Sequence, residues 1–177
     1  WHLRTGAVLA TVAQPVKGVH HASLSPSGRH AVCLLSGNSL ALLDLRARKV
    51  VGHFDGAMHP WRTGYALAVD PQERHVATCP QQGWVCVYDA DSGRPQRILR
   101  PDHDMIYDAT YFADGTRLAV VGTTGATTVV DTVEGKLLGT WGTRKHDATR
   151  DVLYLPRRKL LTTVHSDGVV RMWDGAS

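Results

Sequence analysis

A dipeptide made of an apolar or aromatic residue and an acid recurs along this chain at nearly constant spacing. Successive acids are 45, 42 and 43 residues apart, and the first lies 42 residues after His2. The short run before each acid is rich in β-branched, aromatic or small apolar side chains, which predicts a strand. A fixed period of this size restricts the chain to repeat architectures. The dipeptides are Leu43-Asp44, Tyr88-Asp89, Val130-Asp131 and Trp173-Asp174, and Trp1-His2 opens the sequence in a similar way.

Each unit contains three further predicted strands, separated by turns rich in Pro, Asp and Gly. Four short strands repeated at this period, without helical periodicity, predict an all-β fold built from antiparallel β-propeller blades. We expect one domain over 1–177, with repeats at approximately 3–44, 45–89, 90–131 and 132–174. The predicted outer strands are 7–11, 50–54, 96–99 and 136–140, the inner strands 22–24, 65–69, 109–112 and 151–155, and the second strands 30–35, 75–79, 118–121 and 160–164.

The fourth unit carries a set of polar residues at characteristic distances before its Trp. His146, Thr163 and Asp167 precede Trp173 by 27, 10 and 6 residues. These residues resemble the WD-repeat family. The resemblance implies that the four side chains form a hydrogen-bonded tetrad, which ties the loops of a blade to its strands. A buried imidazole needs partners for both nitrogens, and a carboxylate with a hydroxyl can supply them.

The other three units depart from this pattern. The second keeps Thr78 and Tyr88 but has Gln82 in place of the acid, and the third keeps His103 but has Thr124 in place of the acid. The first keeps almost none of it, so we expect its stability to come from strand packing. Some turns are also similar to YVTN-type propellers, which occur in redox assemblies, but the Trp-Asp dipeptide and the loop histidines favour the WD-repeat interpretation.

The number of strands predicts an incomplete set of blades. In the family the outer strand of each repeat belongs to the preceding blade, which leaves three complete blades, a last unit with three strands, and an unmatched strand at 7–11. Three arrangements follow: half of a seven- or eight-bladed ring completed elsewhere, a ring shared with a second copy of the chain, or a closed four-bladed ring. The first is favoured, because blades of this type are usually shaped for larger rings.

The composition and motifs do not favour an enzyme, a metal site or a cofactor. The ten histidines show no paired ligand spacing, and there is neither a nucleophile elbow nor a glycine-rich phosphate loop. There is no apolar run of membrane-spanning length and no visible secretory leader, so we expect an intracellular protein, cytoplasmic or nuclear, without membrane contact. Cys79 and Cys86 flank a hairpin and could face one another across it, and we expect them to be free thiols.

The function implied by the resemblance is that of a non-catalytic scaffold, which binds other proteins of a larger multiprotein assembly through loops at one rim. Trp, Tyr and Arg are enriched at protein interfaces. Two alternatives stay open. A ribonucleoprotein component would touch RNA through basic residues such as those at 157–159, and a propeller subunit of a redox enzyme would carry a chromophore. The candidate rim residues are Trp61, Arg62, Tyr107, His20, His21, Arg144 and Arg150.

Overall fold

The computed structural model describes residues 4–5, 7–8, 18–36, 39–54, 66–79, 83–101, 103–142 and 147–175. Within these ranges the chain forms fifteen strands, and no helix that could cross a membrane is found there. The strands are β1 (Val19–Leu24), β2 (His30–Leu35), β3 (Leu40–Asp44), β4 (Lys49–Phe54), β5 (Ala66–Val69), β6 (His75–Cys79), β7 (Val85–Asp89), β8 (Pro95–Leu99), β9 (Ile106–Tyr111), β10 (Arg117–Gly122), β11 (Thr127–Asp131), β12 (Lys136–Trp141), β13 (Thr149–Leu155), β14 (Leu160–His165) and β15 (Val170–Asp174).

The strands pair into four antiparallel sheets, which we call blades 1 to 4. Blades 1 to 3 contain four consecutive strands each, and blade 4 contains β13, β14 and β15. This confirms the predicted series of three complete blades and a unit with three strands. The predicted strand at 7–11 is not observed where it can be checked, because Ala7 and Val8 are described and neither lies in a strand. Residues 9–11 lie outside the described ranges.

The blades stand side by side with their first strands on the inside. β1 packs beside β5, β5 beside β9, and β9 beside β13, whereas β13 and β1 are not packed together in this way. The four blades therefore follow one another along an arc around a central channel. Within each complete blade the ladder between the third and fourth strands shifts register at the same place, directly before Leu43, Tyr88 and Val130. These bulges bend and twist the outer part of each blade in the same way.

The hydrophobic core lies between adjacent blades, because each sheet buries side chains on both faces. Val32 and Phe54 of blade 1 pack against Tyr88 of blade 2. A second cluster joins blades 2 and 3, and a third brings Val121 of blade 3 against Leu161 of blade 4. Side chains at alternate positions of a strand therefore pack against the preceding blade and the following blade in turn.

The repeated dipeptide has two physical roles. Its first residue packs toward the preceding blade, as Tyr88 does in the cluster with blade 1 and Trp173 in the cluster with blade 3. Its acid ends the third strand and accepts hydrogen bonds from the next turn. Asp44 Oδ1 accepts from the backbone N–H groups two and three residues later, each at 2.8 Å, and Asp131 Oδ1 does the same at 2.8 and 2.7 Å. A short carboxylate side chain therefore stabilises each turn to the outer strand.

The cysteines are all buried and free. The suggestion that Cys79 and Cys86 face one another across their hairpin is wrong. Cys79 packs in the cluster between blades 2 and 3, while Cys86 packs in the cluster between blades 1 and 2. Thr78 pairs with Cys86 across the ladder, so Cys79 and Cys86 occupy positions of opposite parity and point to opposite faces.

Candidate functional site

A chain of buried hydrogen bonds crosses blade 4. Trp173 donates from Nε1 to Thr163 Oγ1 at 2.9 Å, and Thr163 Oγ1 lies 2.8 Å from His165 Nε2. The other ring nitrogen, His165 Nδ1, lies 3.1 Å from Thr149 Oγ1. Burial lowers the pKa of His165, and the charge of Arg171 adds to this effect. The ring is therefore neutral at pH 7, and a neutral ring can donate at one nitrogen and accept at the other.

The proposed tetrad is only partly brought together by the described residues. Thr163 and Trp173 are in contact, whereas Asp167 accepts from Arg171 Nη2 and from the backbone of Val169, both at 2.9 Å. His146 lies outside the described residues. His165, which the sequence analysis did not single out, binds Thr163 from β14 itself.

A second polar network holds the loop that enters blade 3. His103 Nδ1 lies 2.9 Å from Thr124 Oγ1, and its Nε2 lies 3.1 Å from Thr128 Oγ1. Thr124 stands where the family pattern has an acid, and its hydroxyl still binds the ring. Thr128 belongs to the third strand, and the repeat pattern does not indicate it as a partner of the histidine. Both ring nitrogens of this buried histidine are thus satisfied.

We call the end of the molecule at which the innermost strands begin the upper rim. The described candidate residues there are His20, His21, Tyr107 and Arg150. The Arg150 guanidinium lies 4.7 Å from the centre of the Tyr107 ring, which joins blades 3 and 4. His20 Nε2 lies 3.2 Å from Ser36 Oγ of blade 1. The remaining candidates, Trp61, Arg62 and Arg144, lie outside the described residues.

The innermost strands of all four blades line a cavity of about 480 Å³. Its walls are largely apolar, with Leu67 from β5 and Leu153 from β13, and they also carry His21 from β1. Two acids, Asp108 of β9 and Asp151 of β13, line the same cavity. Within the ranges that the structure describes, no group of three or more His, Cys, Asp or Glu side chains is placed to hold a metal ion.

The two acids form a carboxyl pair across the junction of blades 3 and 4. The Asp108 carboxyl lies close enough to Asp151 to feel its charge, and its Oδ2 accepts a hydrogen bond from the backbone N–H of Val152 at 2.9 Å. Burial raises the pKa of Asp108 to about 7, and the neighbouring Asp151 adds to this effect. The sequence analysis did not detect this pair. The available signal was the spacing, because Asp108 and Asp151 are one repeat period, 43 residues, apart.

A polar clamp joins blades 1 and 2 at the opposite end, which we call the lower rim. Glu73 accepts a hydrogen bond from the Ser27 hydroxyl, and its Oε2 accepts from His30 Nδ1 at 2.6 Å. Burial alone would raise the pKa of Glu73, but hydrogen bonds from Ser27, Ser25 and His30 outweigh this effect and lower the pKa.

Solved propellers match this geometry over nearly the whole chain. The crystal structure of the RRP9 WD40 repeats superposes with a TM-score of 0.78 at 13% sequence identity, covering 92% of this chain and 50% of that one. The chain has a WD-repeat β-propeller fold. The structure of U3-55K matches this WD-repeat propeller with the same TM-score at 12% identity, again over 92% of the chain and 50% of the other.

Two further comparisons are informative about fold. The Kuenenia stuttgartiensis hydrazine synthase structure matches with a TM-score of 0.73 at 22% identity, over 96% of this chain and 49% of that one. A curated relative, the WD repeat-containing protein SL1-17 of Schistosoma mansoni, is 22% identical over 157 residues, which are 89% of this chain and 50% of the relative. The WD-repeat propeller thus spans about half the length of the proteins it matches. No family model matches the chain.

Proposed function

We propose that this WD-repeat propeller is a non-catalytic scaffold that binds other proteins of a larger assembly through its upper rim. The observation that supports this best is the contact between Tyr107 and Arg150, which lie near the starts of β9 and β13. The Arg150 guanidinium lies 4.7 Å from the centre of the Tyr107 ring. Side chains held on strands lose little conformational entropy when a partner binds. Aromatic and arginine side chains also contribute most of the energy at many interfaces.

The test compares two double variants of the full chain. Immobilised protein captures partners from an extract of its source cells, and these are quantified by mass spectrometry. We expect Tyr107→Ser with Arg150→Ser to reduce specific capture at least about tenfold, since interface anchors of this kind contribute over about 1.4 kcal/mol. Arg157→Ser with Arg158→Ser, at the lower rim, serves as the control and leaves capture unchanged. Equal capture by all three folded proteins would contradict the proposal.

A second candidate is an RNA contact at the lower rim. Arg157, Arg158 and Lys159 are exposed in the turn between β13 and β14. Contacts between such side chains and phosphates weaken steeply with salt. Retention of RNA that disappears at high salt and in Arg157→Glu would favour this candidate, and retention that is unchanged in Arg157→Glu would count against it.

The alternative that the chain is a propeller subunit of a redox enzyme stays a prediction, and one measurement tests it. The fold resemblance to a hydrazine synthase structure is compatible with it, but fold does not determine chemistry. A visible absorption spectrum of the protein purified from its source would show a haem or quinone band if a chromophore were bound. An intracellular location, cytoplasmic or nuclear, also stays a prediction.

We further propose that blade 4 packs against another blade, which belongs to a larger ring or to a second copy of the chain. Leu153, Val170 and Met172 lie on the face directed away from blade 3 and are 56%, 58% and 71% exposed. Within the described residues β15 has only β14 as a neighbour, whereas the third strand of every other blade has two. An apolar face beside an unpaired strand edge is a surface that other blades cover in propellers.

A further inference from the structure

The cavity between the innermost strands, which we call the central cavity, is large enough to hold a small organic molecule. Its volume of about 480 Å³ falls within the range of ligand pockets, about 300–1,000 Å³. All four blades contribute to its walls, through β1, β5, β9 and β13 and the turns that follow them. Most of its lining is therefore fixed on strands, which lose little conformational entropy when a ligand binds.

Most of the lining of the central cavity is apolar. Leu67 and Ala68 of β5 and Ala109 of β9 form part of the wall. The turns that follow three of the innermost strands add prolines to the end near the lower rim, namely Pro26, Pro71 and Pro156. The apolar part of a ligand would leave water for this wall, which favours binding.

The other end of the cavity carries negative charge. Asp108 and Asp151 are the third residues of β9 and β13, and both side chains line the cavity. The backbone N–H of Val152 donates to Asp108 Oδ2 at 2.9 Å, so the carboxylate of Asp108 lies against β13 beside Asp151. The ion pairs found in the described part of the chain involve neither acid. The cavity is thus apolar along its length and acidic at one end.

We propose that the central cavity binds a small organic cation, with an ammonium group attached to an apolar body of several carbon atoms. The ammonium group lies at Asp108 and Asp151, and the body lies against Leu67 and Ala109. An ammonium group has several donors and no acceptor, so it can bind two carboxylates at once. An anion of the same shape is repelled by both acids, and a neutral molecule of the same shape forms weaker hydrogen bonds with them.

The position of Asp108 strengthens the preference for a cation. Burial disfavours its charged form and raises its pKa to about 7. A positive group beside this carboxylate replaces part of the lost hydration. The interaction is also poorly screened, because the surrounding wall is apolar. This site goes beyond the scaffold function and is separate from it, since Tyr107 and Arg150 do not line the cavity.

The experiment measures the binding of octylammonium to the full chain by isothermal titration calorimetry at pH 8, with about 0.15 M salt. Three matched probes separate the contributions. Octanol has the same apolar body without the charge, octanoate has the opposite charge, and methylammonium has the charge without the body. We expect one octylammonium site per chain and an affinity at least about tenfold above that of each other probe, because charged hydrogen bonds and apolar burial both contribute.

Two variants test the acids directly. Asp108→Asn and Asp151→Asn should each weaken octylammonium binding at least about tenfold, the effect of losing one charged hydrogen bond, while octanol binding stays the same. Asp104→Asn is the control. It removes the same charge from an exposed residue of the loop before β9, which does not line the cavity. Its effect should stay below about twofold, because salt screens exposed charges.

The proposal is overturned if the wild-type chain does not bind octylammonium, or binds it no more tightly than octanol. Equal losses in Asp104→Asn and Asp108→Asn would also contradict it, because they would reflect net charge rather than a site. If Asp108→Asn does not fold, Asp151→Asn decides, since Asp151 is exposed and its replacement leaves the core intact. Unchanged affinity in that variant would refute the proposal. Partner capture by the Tyr107 and Arg150 variant tests the scaffold function independently of these results.

Discussion

Arg48 has a backbone conformation that glycine adopts at the equivalent turn positions of blades 2 and 3. Its φ is +54°, and the corresponding Gly93 and Gly135 have φ of +66° and +75°. We expect Arg48→Gly to raise the free energy of unfolding by up to about 1 kcal/mol, because a side chain in the left-handed region costs about 1–2 kcal/mol and the more flexible unfolded chain offsets part of that gain. Urea denaturation measures the change.

The matched control for this substitution is Gly135→Ala. A Cβ at Gly135 would meet no atom closer than 3.5 Å, so the substitution tests the backbone alone and should destabilise by about 1 kcal/mol. Gly93 is unsuitable as a control, because a Cβ there would clash with the Phe54 ring. If both substitutions stabilised the protein, the left-handed backbone conformation of these turns could not explain their effects.

At the lower rim, the carboxylate of Glu73 holds blades 1 and 2 together by accepting hydrogen bonds. Its pKa is lowered because the hydrogen bonds from Ser27, Ser25 and His30 outweigh burial. A lowered folded pKa contributes stability that is present above the unfolded pKa and is lost as the pH falls through the folded pKa. We expect Glu73→Gln to cost about 1–2 kcal/mol at pH 7 and to cost less below pH 4, as measured by urea denaturation at both pH values. Glu134→Gln removes the charge of an exposed acid that forms an ion pair with Lys136, and should change stability by under about 0.5 kcal/mol at either pH.

At the scale of the strand, β14 is stabilised by its inward hydroxyl and imidazole. Thr163 Oγ1 is shared between Trp173 and His165, so Thr163→Val keeps the shape but leaves two buried polar groups without that partner. We expect a loss of about 2–3 kcal/mol in unfolding free energy. Thr162→Val is the control on the same strand, because Thr162 is only partly buried and points to the opposite face. Equal effects of the two substitutions in chemical denaturation would contradict this role for the network.

Strand order and strand position were largely predictable because they depend on local alternation and on the repeat. The predicted second strands of blades 1 and 2 agree with β2 (His30–Leu35) and β6 (His75–Cys79). The polar networks were less predictable, because a hydrogen-bond partner is set by the side-chain direction on a folded sheet. His165 shares the inward parity of Leu161 and Thr163, so alternation alone could have suggested it. Of the partners of His103, Thr124 occupies the position of the acid in the repeat pattern, whereas no local pattern identifies Thr128.

The carboxyl pair was missed for a similar reason. An acid in a predicted strand is usually taken as solvent-facing, and Asp151 is indeed exposed. Only the juxtaposition of two innermost strands brings it to Asp108, and this contact depends on how blades assemble. The one indication in the sequence was that the two acids occupy equivalent positions in successive repeats.

At the scale of the whole molecule, the uncovered face of blade 4 should control self-association of the isolated chain. We expect Leu153→Glu with Met172→Glu to shift sedimentation toward the monomer at micromolar concentration, because charges interrupt an exposed apolar face. Val51→Glu places the same charge on the outer strand of blade 1, at a site that is 47% exposed, and should leave the distribution unchanged. A wild-type chain that stays monomeric at all concentrations would show that this face does not drive association.

The clamp at the lower rim makes the contact between blades 1 and 2 depend on a charge. Glu73 accepts hydrogen bonds from Ser27 and His30 across this contact, and these bonds, with one from Ser25, lower its pKa against the effect of burial. Acid that neutralises this carboxylate should therefore open the array first at its amino-terminal seam.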